Sequence, residues 1–172
     1  MAQSNRWNSK TKGALAVAIL LVAGLAVVAH GGLLDGIFKK SPAETAKAAG
    51  VVETAGAVTV PLKALDSGKA LFLVAELGGQ QIHYFAIRSS DGIYRAAFDA
   101  CDVCFRANRG YRQEGDVMVC NQCGQTFPST KINEVKGGCN PAPLGRNAGG
   151  RYLLIQNADL AAGKGYFPFK RS

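Results

Sequence analysis

The sequence predicts a mainly β protein: a small antiparallel β domain with two Cys-x-x-Cys turns, preceded by one N-terminal transmembrane helix. Three observations lead to this prediction. An uncharged apolar segment lies near the N-terminus, short β-type runs alternate with glycine-containing turn signals, and four of the five cysteines form two pairs. A chain of 172 residues has room for one modest domain and an anchor.

The first element is the predicted anchor, residues 13–34, which contain no ionised side chain and are rich in Ala, Leu, Val and Ile. A helix of that length reaches about 33 Å, enough for a hydrocarbon core of about 30 Å. Arg6, Lys10 and Lys12 favour a cytoplasmic N-terminus over residues 1–12. We therefore expect a single-pass protein of the cell membrane, in contact with the lipid bilayer, whose C-terminal domain lies outside the cytoplasm (periplasmic or extracellular).

A cleaved signal peptide is the alternative for the same segment, with small residues up to Ala29 at the cleavage site. The uncleaved anchor is favoured because the apolar run is long and no strong Ala-x-Ala motif follows it. His30 is then expected at the membrane interface rather than as a metal ligand.

Residues 35–57 are expected to form a linker, with a short helix near residues 43–49. The β domain follows as residues 58–172. Its first strand, 58–62, is expected at a sheet edge because Pro61 cannot donate a ladder hydrogen bond. The strand at 70–75 is continuously apolar and is expected to be buried on both faces.

Turn signals then predict an antiparallel meander that leads into the first cysteine pair. Gly78-Gly79 separates the second strand of this meander, 81–87, from the first, and Asp91-Gly92 separates it from the third, 93–98. Further elements are expected as a strand at 116–119, a strand at 152–155, and a helix from Asn157, as its cap, through Ala162.

The cysteines carry the strongest functional signal. Two Cys-x-x-Cys pairs separated by fifteen residues are typical of a four-thiolate metal site, and a single cysteine follows after another fifteen; the five are Cys101, Cys104, Cys120, Cys123 and Cys139. Thiolates suit zinc, copper(I), iron or an iron–sulfur cluster and exclude magnesium and calcium. From the spacing alone, structural zinc is the favoured interpretation.

Two other roles for the cysteines are weaker. Disulfides suit an exported domain, but an odd number leaves one thiol unpaired. A thiol–disulfide oxidoreductase needs its Cys-x-x-Cys at the start of a helix in a βαβ unit, whereas these pairs follow strands. Cys139, between Gly137-Gly138 and Pro141, is expected to belong to the site as a fifth sulfur or a replacement ligand, with the role of a small buried apolar residue as the alternative.

Other functions find less support in the residues. His83 lies between apolar neighbours, so we expect a packed, hydrogen-bonded core residue, with ligation or tuning of a metal as the less favoured role. Basic and acidic residues are interspersed after the anchor, so no nucleic-acid partner is expected. No nucleophile–base pair is readable, which favours a metal-binding or electron-transfer protein over an enzyme.

Several blocks, in order, resemble the FtrD-like membrane iron–sulfur protein family over roughly residues 58–167; they are 84–92, 97–104, 110–116, 119–124 and 137–144. The resemblance implies an iron–sulfur cluster or iron as the cofactor, in a group that includes a component associated with ferrous iron uptake. All five cysteines match the cysteine positions of the family.

The resemblance also bears on partners. Family members with many spans carry this domain after a polytopic membrane region, whereas this chain has one predicted span. A role in iron transport would therefore require a separate membrane or envelope partner for electron transfer or metal handling. A structural zinc-binding interaction module and a copper or zinc chaperone remain as alternatives.

Overall fold

The computed structural model describes residues 40–171. Within this range two short α-helices accompany ten strands, and every strand pair is antiparallel, which confirms the mainly β prediction. The helices are α1 (Pro42–Ala48) and α2 (Asn157–Ala162). The strands are β1 (Val52–Glu53), β2 (Ala57–Pro61), β3 (Leu71–Leu77), β4 (Gln80–Arg88), β5 (Tyr94–Phe98), β6 (Tyr111–Glu114), β7 (Val117–Cys120), β8 (Thr126–Pro128), β9 (Asn147–Gly149) and β10 (Tyr152–Gln156).

The predicted meander is the sheet β3-β4-β5, with β4 in the middle. Side chains on successive residues of a strand point to opposite faces, and β4 uses both faces. Tyr84 and Ala86 enter the larger core, while Phe85 and Ile87 enter a second, smaller core. The strand β4 therefore separates two apolar cores, and the smaller one contains Cys101 and Cys120.

The expectation that residues 70–75 are buried on both faces is wrong. β3 lies at an edge of its sheet, and only Leu73 and Ala75 are fully buried. Alternate positions such as Val74 stay partly exposed. A continuous apolar run does not distinguish burial on both faces from a half-covered edge strand.

A second sheet, in the order β1-β2-β10-β9, corrects the prediction of an edge strand at 58–62. β2 lies between β1 and β10, and Val58 and Val60 are buried in the larger core. Pro61 is accommodated because it lies at the strand end opposite Tyr152, beyond the residues that pair with β1.

The helix predicted after β10 is confirmed, but its cap is a different residue. Gln156 is the N-cap in an extended conformation, and Asn157 is the first helical residue. The Asn157 amide instead donates to the carbonyls of Thr54 and Ala55, which fastens the helix start to the turn before β2.

The short helix expected near residues 43–49 is α1, which begins with a capping box between Ser41 and Glu44. α1 and β1 lie within 35–57, the segment expected to be a linker, and α1 packs against β3. No helix in residues 40–171 is long and apolar enough to cross a membrane. The predicted span, 13–34, and His30 lie outside the described residues.

The third sheet, β6-β7-β8, contains one predicted strand, β7, and two that sequence patterns did not indicate. β6 is mostly polar and β8 has only three residues, so neither carries an apolar alternation. Their partner β7 has Met118 fully buried in the smaller core. β7 ends at Cys120, so this sheet positions the second cysteine pair.

Candidate metal centre

The first cysteine pair lies in the turn that follows β5. The backbone N–H of Cys104 donates to the Cys101 sulfur at 3.1 Å. This hydrogen bond closes the turn around the Cys101 sulfur. The chain continues into a 3₁₀ turn, Phe105–Ala107, which ends at Asn108 in the left-handed conformation.

The second pair lies in the tight turn between β7 and β8. Cys120 closes β7, its N–H donates to the Gln125 carbonyl at 2.9 Å, and its own carbonyl accepts from the Gly124 N–H at 2.9 Å. Gly124 has φ +74°, a conformation that favours glycine. A backbone hydrogen bond at Gln125 lowers the pKa of the exposed Cys123 thiol.

Cys139 reaches the two pairs because the chain after it runs beside β5. Phe98 N–H donates to the Ala142 carbonyl at 2.8 Å, and Ala142 N–H donates to the Ala100 carbonyl at 2.9 Å. The Tyr111 hydroxyl, from β6, donates to the Cys139 carbonyl at 2.7 Å. Cys139 is thereby fixed between β5 of the meander and β6 of the third sheet.

The structure brings all five predicted cysteines together, in two groups of three that share one member. In each group the sulfurs lie within 4.8 Å of one another: Cys101, Cys104 and Cys120 form the inner group, and Cys104, Cys123 and Cys139 form the outer group. The sulfurs of Cys104 and Cys139 are 3.7 Å apart. All five are free thiols, so no disulfide occupies the site.

Burial decreases from the inner group to the outer group. Cys101 and Cys120 are 1% and 2% exposed, Cys104 and Cys139 are partly exposed, and Cys123 is exposed. The site therefore begins in the smaller core and ends at the protein surface.

The buried end of the site is lined by apolar side chains, and burial raises the pKa of two of the five thiols. Phe85, Tyr111 and Met118 belong to the same buried cluster as Cys101 and Cys120. Burial raises the pKa of Cys104 and raises the pKa of Cys139 to about 11. Metal binding at these thiols would release protons, because thiolates are the ligands.

A buried carboxylate supports the entrance to the first turn. Asp99 is 6% exposed, accepts from the Tyr111 N–H at 2.6 Å, and forms an ion pair with Arg171. Burial raises the pKa of Asp99 to about 6, against the opposing effect of Arg171. Asp99, Tyr111 and Arg171 were not predicted as site residues from the sequence. Arg171 is distant in sequence from the first cysteine turn and reaches it only in the folded chain.

His83 belongs to neither cysteine group. Its ring packs against Phe167, with 5.7 Å between ring centroids, and its buried Nε2 has no hydrogen-bond partner in the described part of the chain. Burial and the nearby Arg171 charge lower its pKa to about 4. The packing agrees with the expectation from its apolar neighbours, but the side chain is only partly buried, and the expected hydrogen bond is not found among the described residues.

The donor set consists of soft sulfur ligands only, which suits iron, an iron–sulfur cluster, zinc or copper(I). The model of one protein family, described as "Membrane iron-sulfur containing protein FtrD-like", matches residues 65–167, more than half of the chain. That match includes all five cysteines. No curated protein and no solved structure matches the chain.

Proposed function

Because this chain belongs to the FtrD-like family of membrane iron-sulfur containing proteins, we propose that it binds iron, as ions or in an iron–sulfur cluster, through its five cysteines. It then serves in electron transfer or metal handling at the cell envelope, beside a membrane partner protein. The observation that carries this proposal is the convergence of five free sulfurs from three separate chain segments.

The depth of the site supports exchange with a partner. Cys101 and Cys120 are buried, which protects bound iron from water, whereas Cys123 reaches the surface. Solvent exposure and hydrogen bonds to sulfur are among the factors that set the potential of an iron–sulfur centre. When bound, iron would supply the capacity to gain and lose an electron, and the chain would hold it near the surface at Cys123.

A structural zinc site is the second candidate, and one distance favours it. Four thiolates around one zinc ion lie about 3.8 Å apart, given a Zn–S bond of about 2.3 Å. The Cys104 and Cys139 sulfurs are separated by 3.7 Å. In a four-iron cluster each cysteine binds a different iron, so this short separation instead fits two ligands of one metal atom, as in a zinc site, a single-iron site or a two-iron cluster.

Anaerobic purification of the full-length chain in detergent tests the proposal directly. We expect stoichiometric iron, with or without acid-labile sulfide, together with visible absorption and an electron paramagnetic signal in one oxidation state. Cys120→Ser should lose metal, while Val103→Ala, an exposed residue within the first turn, should retain it. Stoichiometric zinc without iron would refute the iron assignment and support the structural zinc site.

A further inference from the structure

We propose that the centre holds two thiophilic metal ions and that the Cys104 sulfur is a ligand shared by both. The inner position uses Cys101, Cys104 and Cys120, and the outer position uses Cys104, Cys123 and Cys139. This inference rests on the proposed metal-binding function and adds the number of ions and the role of Cys104.

The first argument is geometric. A single tetrahedral ion with four thiolates requires all four sulfurs to be mutual neighbours about 3.8 Å apart. In residues 40–171, no four cysteine sulfurs lie within even 4.8 Å of one another, whereas two sets of three do. Three chain sulfurs at each position leave one coordination position open to a small ligand such as sulfide or water.

The second argument is the direction of the second turn. In a mononuclear site, both cysteines of a Cys-x-x-Cys pair bind the same ion. Here Cys120 lies with the buried inner group, while Cys123, three residues later, lies with the exposed outer group. Cys139 completes that outer group, and its sulfur is 3.7 Å from the Cys104 sulfur.

Cobalt(II) titration of the reduced, metal-free full-length chain in detergent tests the shared ligand. The sulfur-to-cobalt charge-transfer band should saturate at two ions per chain. The magnetic moment per cobalt should fall between the first and second equivalent, because a shared thiolate couples the two ions. Val103→Ala serves as the control and should also bind two ions.

Two variants separate the shared ligand from a terminal one. Cys139→Ser should bind one ion tightly at the intact inner group, while Cys104→Ser, which leaves two sulfurs at each position, should lose tight binding of both ions. Circular dichroism of the two metal-free variants checks that both retain the fold. Saturation of the unmodified chain at one ion, or identical stoichiometry in the two variants, would refute the shared ligand. Failure of the unmodified chain to bind any cobalt would instead overturn the metal-binding function itself.

Discussion

Gly110→Ala should disrupt the support of the metal centre far more than Gly124→Ala, although both glycines have positive φ. Gly110 has φ +61°, and a Cβ there would lie 2.6 Å from Cγ of the buried Asp99. Gly124 has φ +74°, and a Cβ there would meet no heavy atom within 4 Å. The pair therefore separates backbone strain from a steric conflict with the carboxylate.

The magnitudes follow from what each alanine displaces. A left-handed alanine costs about 1 kcal/mol relative to glycine, and Gly124→Ala should lose only that amount. In Gly110→Ala the Asp99 carboxylate must also move away from the Tyr111 N–H. An unsatisfied buried donor costs about 1–3 kcal/mol, and disturbing the partly buried ion pair with Arg171 adds to this. We expect Gly110→Ala to be destabilised by about 3–5 kcal/mol.

Urea denaturation of the metal-free, reduced full-length chain in detergent, followed by tyrosine circular dichroism, measures the free energy of unfolding of both variants. Gly110→Ala should also bind iron more weakly, because Asp99 is two residues from Cys101. Equal destabilisation of the two variants would refute the reasoning, since it would show that Asp99 moves away at no cost.

Three further predictions test the cores and the thiols. Gly163→Ala should cost about 1–3 kcal/mol through overpacking, because its Cβ would lie 2.7 Å from a ring carbon of Phe98, whereas Gly165→Ala, with open space around it, should change the free energy of unfolding little. The lowered pKa of His83, about 4, means that its contribution to stability is complete above about pH 6.5 and is lost as the pH falls through 4. Urea midpoints of the metal-free chain between pH 4 and 7 should therefore fall less steeply on acidification in His83→Gln than in the unmodified chain. Iron or cobalt affinity, measured by chelator competition, should rise with pH between 6 and 8, because the thiol of Cys139 has a pKa of about 11 and must lose its proton to bind.

The meander and its connection to the cysteines could be predicted from sequence because their signals are local. Gly78-Gly79 and Asp91-Gly92 mark turns, and the apolar runs between them have strand length. The position of 58–62 in its sheet could not be predicted, because its neighbour β10 lies more than ninety residues later. Pro61 has no N–H to donate to a neighbouring strand. A position at the end of a strand meets this restriction as well as a position at the edge of a sheet.

The five cysteines could be identified from spacing, but their grouping could not. Spacing places Cys120 with Cys123, whereas the structure divides them between two groups because β7 ends at Cys120 and the turn then leads outward. The third segment, with Cys139, is positioned by backbone hydrogen bonds to β5 and by Tyr111. These contacts depend on the fold and cannot be deduced from the spacing of residues.

The two faces of β4 indicate why the metal site and the rest of the fold can respond separately to metal loss. Tyr84 and Ala86 belong to the larger core, which also contains Val60 of the second sheet and no cysteine. Phe85 and Ile87 belong to the smaller core, in which Cys101 and Cys120 replace apolar side chains. Metal ligation would therefore join the turn after β5 to the third sheet within the smaller core. Removing the metal should loosen β6, β7 and β8 while the two larger sheets keep their own core, and hydrogen exchange resolved by strand can distinguish this local loosening from global unfolding.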